Sequence, residues 1–232
     1  PPPHFFSTPT PQNEISACLV GSEMCIRDRA AGAKKIMVKD AHYSGRNIIP
    51  SYLPKKAKII RGWSGHPYSM LQEINSRYDA LMLIGYHARA GSGGNPLAHT
   101  MSSAKIERII LNDRQASELL LHGTIASKYH VPLAFVSGDS VICGEIKSIS
   151  PDTITHSTMH GIGDSSISLQ PQNSIEIIKK KTEKALSKNV LFMVLASPKD
   201  MLESGKKVFK KWSQPRSATL YNNLSLIHIS EP

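Results

Sequence analysis

The chain has 232 residues, of which 40% are hydrophobic and 20% are charged, with a formal net charge of +10. This length supports one sizeable core, or one core with an appendage. No apolar run approaches the roughly 20 residues that cross a bilayer, and the proline-rich opening lacks the basic-then-apolar order of a secretory signal. We therefore expect a cytoplasmic protein that does not contact a membrane.

Composition also argues against a disulfide framework and against a nucleic-acid partner. The three cysteines are odd in number and lack zinc-finger or redox spacing. Many lysines fall in KKKTEK (Lys179–Lys184) and GKKVFKKW (Gly205–Trp212), which we interpret as solvated faces of late helices. The positive charge then requires no polyanion; DNA binding, the alternative, would show steep salt dependence.

The two ends of the chain are related to each other through their possible coding DNA. LSLIHISEP (Leu224–Pro232) can be encoded by DNA whose opposite strand encodes GSEMCIRDR (Gly21–Arg29), and that DNA resembles a transposase-type sequencing adapter. We therefore expect residues 1–29 to be an artefactual leader and residues 224–232 an artefactual tail, both outside fold reasoning. The predicted domain spans residues 30–223.

The first half of this domain alternates between strand and helix patterns. Three short apolar runs are predicted as strands: KKIMVKD (Lys34–Asp40), AKIIRG (Ala57–Gly62) and ALMLIGYH (Ala80–His87). Between the second and third runs, SMLQEINSRY (Ser69–Tyr78) carries apolar residues at helical spacing. This order predicts a strand, a helix and a strand.

The second half continues the alternation. The predicted strands are KIERIILNDR (Lys105–Arg114), VPLAFVSGD (Val131–Asp139) and NVLFMVL (Asn189–Leu195). The predicted helices are QASELLLHGTIASKYH (Gln115–His130), NSIEIIKKKTEKALS (Asn173–Ser187) and SPKDMLESGKKVFKKW (Ser197–Trp212). Such alternation predicts an α/β fold with a largely parallel sheet and helices on both faces.

Polar residues capable of chemistry follow several predicted strands. Asp40 and His42 come after one strand, His87 after another and Asp139 after a third. Ligands of open α/β sheets collect beyond the carboxyl ends of the strands, so we expect a site at this edge. Asp139 is expected either to orient a ligand histidine or to cap the next helix.

Two histidines flank a glycine-rich loop in IGYHARAGSGGNPLAHTM (Ile84–Met101). Imidazole and carboxylate groups are the usual ligands of a hydrolytic zinc ion. We interpret the loop between His87 and His99 as a mobile hinge. It would let His99 approach a substrate without being a metal ligand, as a general base, acid or nucleophile.

Four short motifs occur in a specific order and spacing: VKDAH (Val38–His42), GYHARA (Gly85–Ala90), AHTM (Ala98–Met101) and LNDRQASEL (Leu111–Leu119). In this register the chain resembles the M55 peptidase family, the zinc-dependent D-aminopeptidases. The resemblance runs from about Ala30 to Ser187. It implies two zinc ions per subunit, short peptide substrates with D-amino acids, and a homo-oligomer such as a ring-like decamer.

The resemblance also implies roles for particular residues. His42 corresponds to a ligand of one zinc ion, and His87 and Glu118 correspond to ligands of the other. His99 matches the histidine with a catalytic role, commonly as nucleophile. Without the resemblance, Glu118 would be interpreted as an exposed helix glutamate.

The chain departs from the family pattern near its start and near its end. The family's Asp-x-Glu-Gly motif, which supplies a bridging aspartate, is absent, so we expect the first strand and much of the first helix to be lost. The stretch from Lys188 to Ala196 looks too short for the strands usual there. We therefore expect an impaired dizinc aminopeptidase, and the alternative is a non-catalytic α/β ligand-binding module.

The other histidines are not expected to bind metal. His156 and His160 have the spacing of a helical zinc pair, but β-branched neighbours and nearby glycines argue against a helix there. His66, His122 and His130 are expected to serve packing or hydration. His228 belongs to the expected tail.

Overall fold

The computed structural model describes residues 35–55 and 57–187, together with the backbone of residues 227–230. Within these ranges the chain has a mixed α/β fold in which the strands form three sheets. No helix in the described ranges is long and apolar enough to span a bilayer. The strand predicted at residues 189–195, the helix predicted at 197–212 and the expected leader lie outside the described residues.

The strands are β1 (Ile36–Lys39), β2 (Ala57–Ile60), β3 (Leu81–Tyr86), β4 (Arg108–Leu111), β5 (Arg114–Gln115), β6 (Leu133–Asp139), β7 (Ile154–Ile162), β8 (Ser165–Ser168) and β9 (Ile227–Ser230). The α-helices are α1 (Glu118–Lys128), α2 (Ser140–Ile149) and α3 (Pro171–Ser187). Single 3-10 turns occupy Pro50–Tyr52 and Ser69–Leu71.

The largest sheet has the strand order β3-β6-β7-β8. β6 runs parallel to β3, with Leu81 opposite Leu133, and also parallel to β7, whereas β8 returns antiparallel to β7. All seven residues of β6 are buried. Phe135 packs in a cluster with Ile178 of α3, and the next residue, Val136, packs in a cluster with Ile142 of α2.

The remaining strands form two smaller sheets. β1 and β2 form a parallel pair of their own. β4 pairs antiparallel with β5 and with β9, rather than in a parallel sheet. The antiparallel pairing of β4 with β5 follows from the turn between them, where Asn112 and Asp113 both have positive φ, at 50° and 60°. Two consecutive residues of this conformation make the tight turn of a β-hairpin.

Helix α1 begins at Glu118, one of the predicted metal ligands. Ser117 caps it, because the Ser117 hydroxyl accepts a hydrogen bond of 3.0 Å from the amide of Leu120. Leu119 packs with Leu83 of β3, and Leu120 packs with Ile109 of β4. These contacts fix the first turn of α1 between the strands.

The helix predicted from Ser69 to Tyr78 does not form. Only a single 3-10 turn is present, and Ser69 and Glu73 have positive φ, which is incompatible with a continuous α-helix. Its apolar side chains nevertheless contribute to the core. Leu71 belongs to the cluster that contains Ile125 of α1, and Ile74 packs against this cluster. The spacing of the apolar residues therefore predicted their packing correctly, whereas the α-helix that it predicted was wrong.

Candidate metal centre

Three potential metal ligands come together from separate parts of the chain. His87 directly follows β3, Glu118 is the first residue of α1, and His99 lies in the segment between them. One ligand atom from each residue lies within 4.8 Å of the other two. The prediction placed His87 and Glu118 together at a zinc ion, and the structure brings both together with His99.

The geometry of this cluster suits a small cation. Nε2 of His99 lies 3.9 Å from Oε1 of Glu118. Two donors bound to one zinc ion at about 2.1 Å each are separated by at most about 4.2 Å, so this pair can share an ion as it stands. The rings of His87 and His99 are stacked, with centroids 4.2 Å apart and an interplanar angle of 30°.

Hydrogen bonds to carbonyl groups define which imidazole nitrogens are available. Nδ1 of His87 lies 3.1 Å from the carbonyl oxygen of Ala88, and Nδ1 of His99 lies 2.8 Å from that of Leu97. A carbonyl oxygen only accepts, so each Nδ1 must carry the proton. In the neutral rings both Nε2 atoms therefore keep a lone pair for a metal ion or a proton.

Glu118 supplies a buried carboxylate. Its side chain is 7% exposed, against 29% for that of His99. Oε1 accepts a hydrogen bond of 2.8 Å from the amide of Met101, which has a positive φ of 67°. Burying a carboxylate is unfavourable unless a charged or hydrogen-bonding partner compensates it, and a cation at this position would do so.

The segment between the two histidines is held by packing on both sides. The amide of Ala88 donates to Asp139, and the amide of Gly161 donates to the carbonyl of Gly94. A Cβ atom on Gly94 would lie 1.9 Å from Cγ2 of Val141. This glycine permits close packing of the segment, and the interpretation of the loop as a mobile hinge stays a prediction.

His42 is not a member of the cluster. It is an exposed residue in the turn that follows β1, where its carbonyl accepts from the amide of Gly45. Among the described residues, the group able to hold a metal ion consists of His87, His99 and Glu118. The assignment of His42 as a zinc ligand therefore stays a prediction.

Two predicted strand-end carboxylates have structural partners. Asp40 accepts hydrogen bonds from the amide of Ile48 at 2.7 Å and from the side chain of Asn47 at 3.2 Å. Oδ1 of Asp139 accepts from the amide of Ile142 at 2.8 Å and so caps α2. The capping role considered for Asp139 is confirmed.

A neutral buried pair lies beneath Glu118. The Tyr86 hydroxyl is 2.9 Å from Nδ1 of His122, which occupies the same face of α1 as Glu118, one turn later. Burial lowers the pKa of His122 to about 4. Burial, and then the negative charge of Glu118, raise the pKa of the Tyr86 hydroxyl. His122 is therefore a packing residue, as predicted. Its hydrogen-bond partner, Tyr86, was not identified from the sequence.

The remaining histidine pair does not form a helical metal site. His156 and His160 both lie on β7, which confirms that this segment is not a helix. Nε2 of His156 lies 3.4 Å from the hydroxyl of Ser174, and Nδ1 of His160 lies 3.2 Å from that of Ser140.

Comparison with known proteins adds to this geometry. The sequence model of the peptidase M55 family, described as D-aminopeptidase, matches residues 22–218. A D-aminopeptidase of Bacillus subtilis (strain 168) is 29% identical over 157 residues, which are 67% of this chain and 56% of that protein. The chain thus spans little more than half the length of this curated relative.

A solved structure has a similar fold. It is the zinc-dependent D-aminopeptidase of Bacillus subtilis, described as a self-compartmentalizing protease. The TM-score is 0.75 at 24% sequence identity, and the similarity covers 81% of this chain and 68% of that chain. This likeness shows that the two chains share a fold.

Proposed function

Because the chain belongs to the peptidase M55 family of D-aminopeptidases, we propose that it releases N-terminal amino acids from short peptides with the help of zinc. The observation that carries the proposal is the convergence of two imidazole nitrogens and one buried carboxylate at a single point. The descriptions of both relatives as D-aminopeptidases support a substrate whose first residue has the D configuration.

We assign zinc binding to His87 and Glu118. Nitrogen and carboxylate oxygen are donors that zinc accepts, and a ligand atom of His87 lies within 4.8 Å of one of Glu118. When bound, zinc polarises a carbonyl group and lowers the pKa of water to about 7, which is the chemistry peptide hydrolysis requires. The hydrogen bond from Met101 holds Oε1 of Glu118, so the direction of its carboxylate is set before an ion arrives.

We assign a catalytic role to His99. Its side chain is more exposed than that of Glu118 and can be reached by a peptide. Nε2 carries the lone pair and Nδ1 is hydrogen-bonded to a carbonyl, so Nε2 is the atom that takes up a proton or attacks the substrate. The role as nucleophile is the one that the family resemblance implies.

The finer features of the prediction extend this proposal. A second zinc ion would use His42 and groups outside the three-residue cluster. Two zinc ions bring four positive charges, and Glu118 alone contributes one negative charge. A largely parallel sheet with helices on both faces would place the metals at the carboxyl ends of its strands, and the position of His87 directly after β3 supports this. The self-compartmentalizing relative supports a homo-oligomer, and we propose a cytoplasmic location.

The test is a measurement of zinc content together with hydrolysis. Purified protein is dialysed against zinc, its metal content per chain is measured, and release of D-alanine from D-alanyl dipeptides is compared with release of L-alanine from the L-forms. Because the family's bridging aspartate is missing, we expect weak zinc binding and slow, D-selective release, both lost in His87→Ala. The control His160→Ala removes an exposed histidine outside the cluster and should retain both. Bound zinc without hydrolysis of any peptide would favour a ligand-binding module instead.

A further inference from the structure

We infer that Asp139 and Asn95 form a positioning clamp that sets the orientation and the tautomer of both His87 and His99. The catalytic consequence of this clamp rests on the proposed function. The clamp itself rests on hydrogen bonds that converge on one buried carboxylate. Asp139 and Asn95 lie outside the three-residue metal group, and we assign them a role that acts through the histidines.

Asp139 is the centre of the clamp. It is the last residue of β6 and is 1% exposed. Its two oxygens accept hydrogen bonds from different groups. Oδ1 accepts from the amide of Ile142 and so caps α2. Oδ2 accepts from the amide of Ala88 at 2.6 Å and from Nδ2 of Asn95 at 2.9 Å. Hydrogen bonds to a charged acceptor are stronger than those between neutral groups, which makes Oδ2 a firm anchor.

The first arm of the clamp leads to His87. Ala88, which is fully buried, donates its amide hydrogen to Oδ2 of Asp139. Its carbonyl oxygen accepts from Nδ1 of His87 at 3.1 Å. The anchored amide fixes the His87–Ala88 peptide, and the carbonyl of the same residue receives the imidazole proton.

The second arm leads to His99 and passes through Asn95. Nδ2 of Asn95 donates to Asp139, and Oδ1 of Asn95 accepts from the amide of Leu97 at 2.8 Å. The carbonyl of Leu97 then accepts from Nδ1 of His99 at 2.8 Å. The orientation of the Asn95 amide is unambiguous, because a carboxylate cannot donate and a backbone amide cannot accept.

Both arms end in the same way. Each delivers a carbonyl oxygen to the Nδ1 of one histidine, and each leaves the Nε2 lone pair of that ring directed away from the carbonyl. Partners that fix a histidine tautomer typically change metal affinity or activity by about 10–100-fold when they are removed. Asp139 and Asn95 therefore control the two histidines that the proposed chemistry needs.

Two substitutions separate the arms. Asp139→Asn keeps an oxygen able to cap α2 but replaces the other acceptor by an amide that cannot accept from Ala88 or Asn95. Asn95→Ala leaves the bond from Ala88 to Asp139 in place and removes only the path to His99. If Asp139→Asn fails to fold, Asn95→Ala still tests the clamp.

The readout is the protonation state of the ring nitrogens in protein freed of zinc. Nitrogen-15 spectra of histidine-labelled protein are recorded at alkaline pH, because the two tautomers are distinguished in the neutral ring. The signals are assigned with His87→Gln and His99→Gln. This measurement uses neither zinc nor substrate, so it does not depend on whether the proposed function is right.

We expect the unsubstituted protein to show both rings protonated at Nδ1. In Asn95→Ala, His99 should become a mixture of tautomers while His87 is unchanged, and in Asp139→Asn both rings should become mixtures. The matched control is Asn47→Ala, which removes another asparagine that donates to a buried strand-end carboxylate, that of Asp40. It should leave both rings unchanged.

The inference is overturned if either ring is protonated at Nε2 in the unsubstituted protein, or if Asn95→Ala leaves His99 unchanged. In active, zinc-loaded enzyme, Asn95→Ala should lower kcat about 10–100-fold with little change in KM, since it misdirects His99 without altering a substrate contact. A rise in KM at constant kcat would show that Asn95 contributes to substrate binding and would overturn its positioning role.

Discussion

The amide of Gly161 on β7 donates a hydrogen bond of 3.1 Å to the carbonyl of Gly94, and no side chain fits between the two residues. A Cβ atom on Gly161 would lie 2.5 Å from that carbonyl oxygen. The segment that carries His99 is therefore packed directly on the backbone of the large sheet.

Gly161→Ala should destabilise the protein. The added methyl group meets backbone atoms that cannot rotate away, and overpacking of this kind costs about 1–3 kcal/mol. Urea unfolding of the zinc-free protein measures the effect. The control is Gly144→Ala, on the exposed side of α2, where a Cβ meets nothing within 4 Å. That change should stabilise the protein by up to about 1 kcal/mol. Equal stability of Gly161→Ala and unsubstituted protein would contradict the close packing.

Glu118→Gln should abolish most zinc binding. Glutamine keeps an oxygen for the amide of Met101 but loses the negative charge that faces the ion. The dissociation constant for zinc, measured by competition with a chelator, should rise by more than the ~10–100-fold that loss of a supporting partner costs. Glu107→Gln removes an exposed carboxylate instead and should bind zinc normally. Unchanged affinity in Glu118→Gln would exclude Glu118 as a ligand.

His99→Ala should separate binding from turnover. If His99 acts on the substrate, the variant keeps its zinc and loses about 10²–10⁴-fold in kcat, the contribution typical of a general acid or base. Zinc content and D-alanyl dipeptide hydrolysis are measured on the same preparation. Loss of zinc and activity in equal measure would instead make His99 the third ligand, which its distance of 3.9 Å from Glu118 also permits.

The free energy of unfolding should decrease as the pH is lowered below about 6.5, because His122 is buried in its neutral form. Burial lowers the pKa of His122 to about 4 in the folded protein, against about 6.5 when unfolded. Above pH 6.5 both states are neutral and its contribution is complete. Between pH 6.5 and 4 only the unfolded state binds the proton, so the free energy of unfolding decreases by up to ~1.4 kcal/mol per pH unit.

This dependence is measured by urea unfolding of zinc-free protein at several pH values. His122→Gln should flatten the curve between pH 6.5 and 4. Part of the slope should remain, because burial and the charge of Lys181 also lower the pKa of His156. A variant curve as steep as that of the unsubstituted protein would show that His122 is already charged in the folded state.

Apolar runs in the sequence located most of the strands and the helices α1 and α3. These elements bury their side chains in one periodic pattern, which can be recognised without knowledge of their partners. The antiparallel pairing of β4 was not predictable from its own residues, since it depends on the positive φ of Asn112 and Asp113 in the turn. Similarly, the hairpin of β7 and β8 depends on the turn at Gly163, which has a φ of 56°.

The candidate site was recoverable from sequence only in part. His87 and His99 were selected from their positions around the glycine-rich loop, and Glu118 only through motif resemblance. Their meeting depends on α1 packing against β3. A capping role for Asp139 could be anticipated, because the residue lies between a strand and a helix. Nothing local marks Asn95 as its partner, since a contact across 44 positions arises only when the loop closes onto β6.

The parallel pairing of β3 with β6 also has a kinetic consequence. Pairing of Leu81 with Leu133 closes a long loop of chain that includes both histidines and α1. Closing such a loop costs conformational entropy before any long-range contact compensates for it, which makes pairings of this kind slow to form. We therefore expect the three ligands to assemble late in folding. Zinc should then slow unfolding of the finished protein and leave the rate of refolding unchanged.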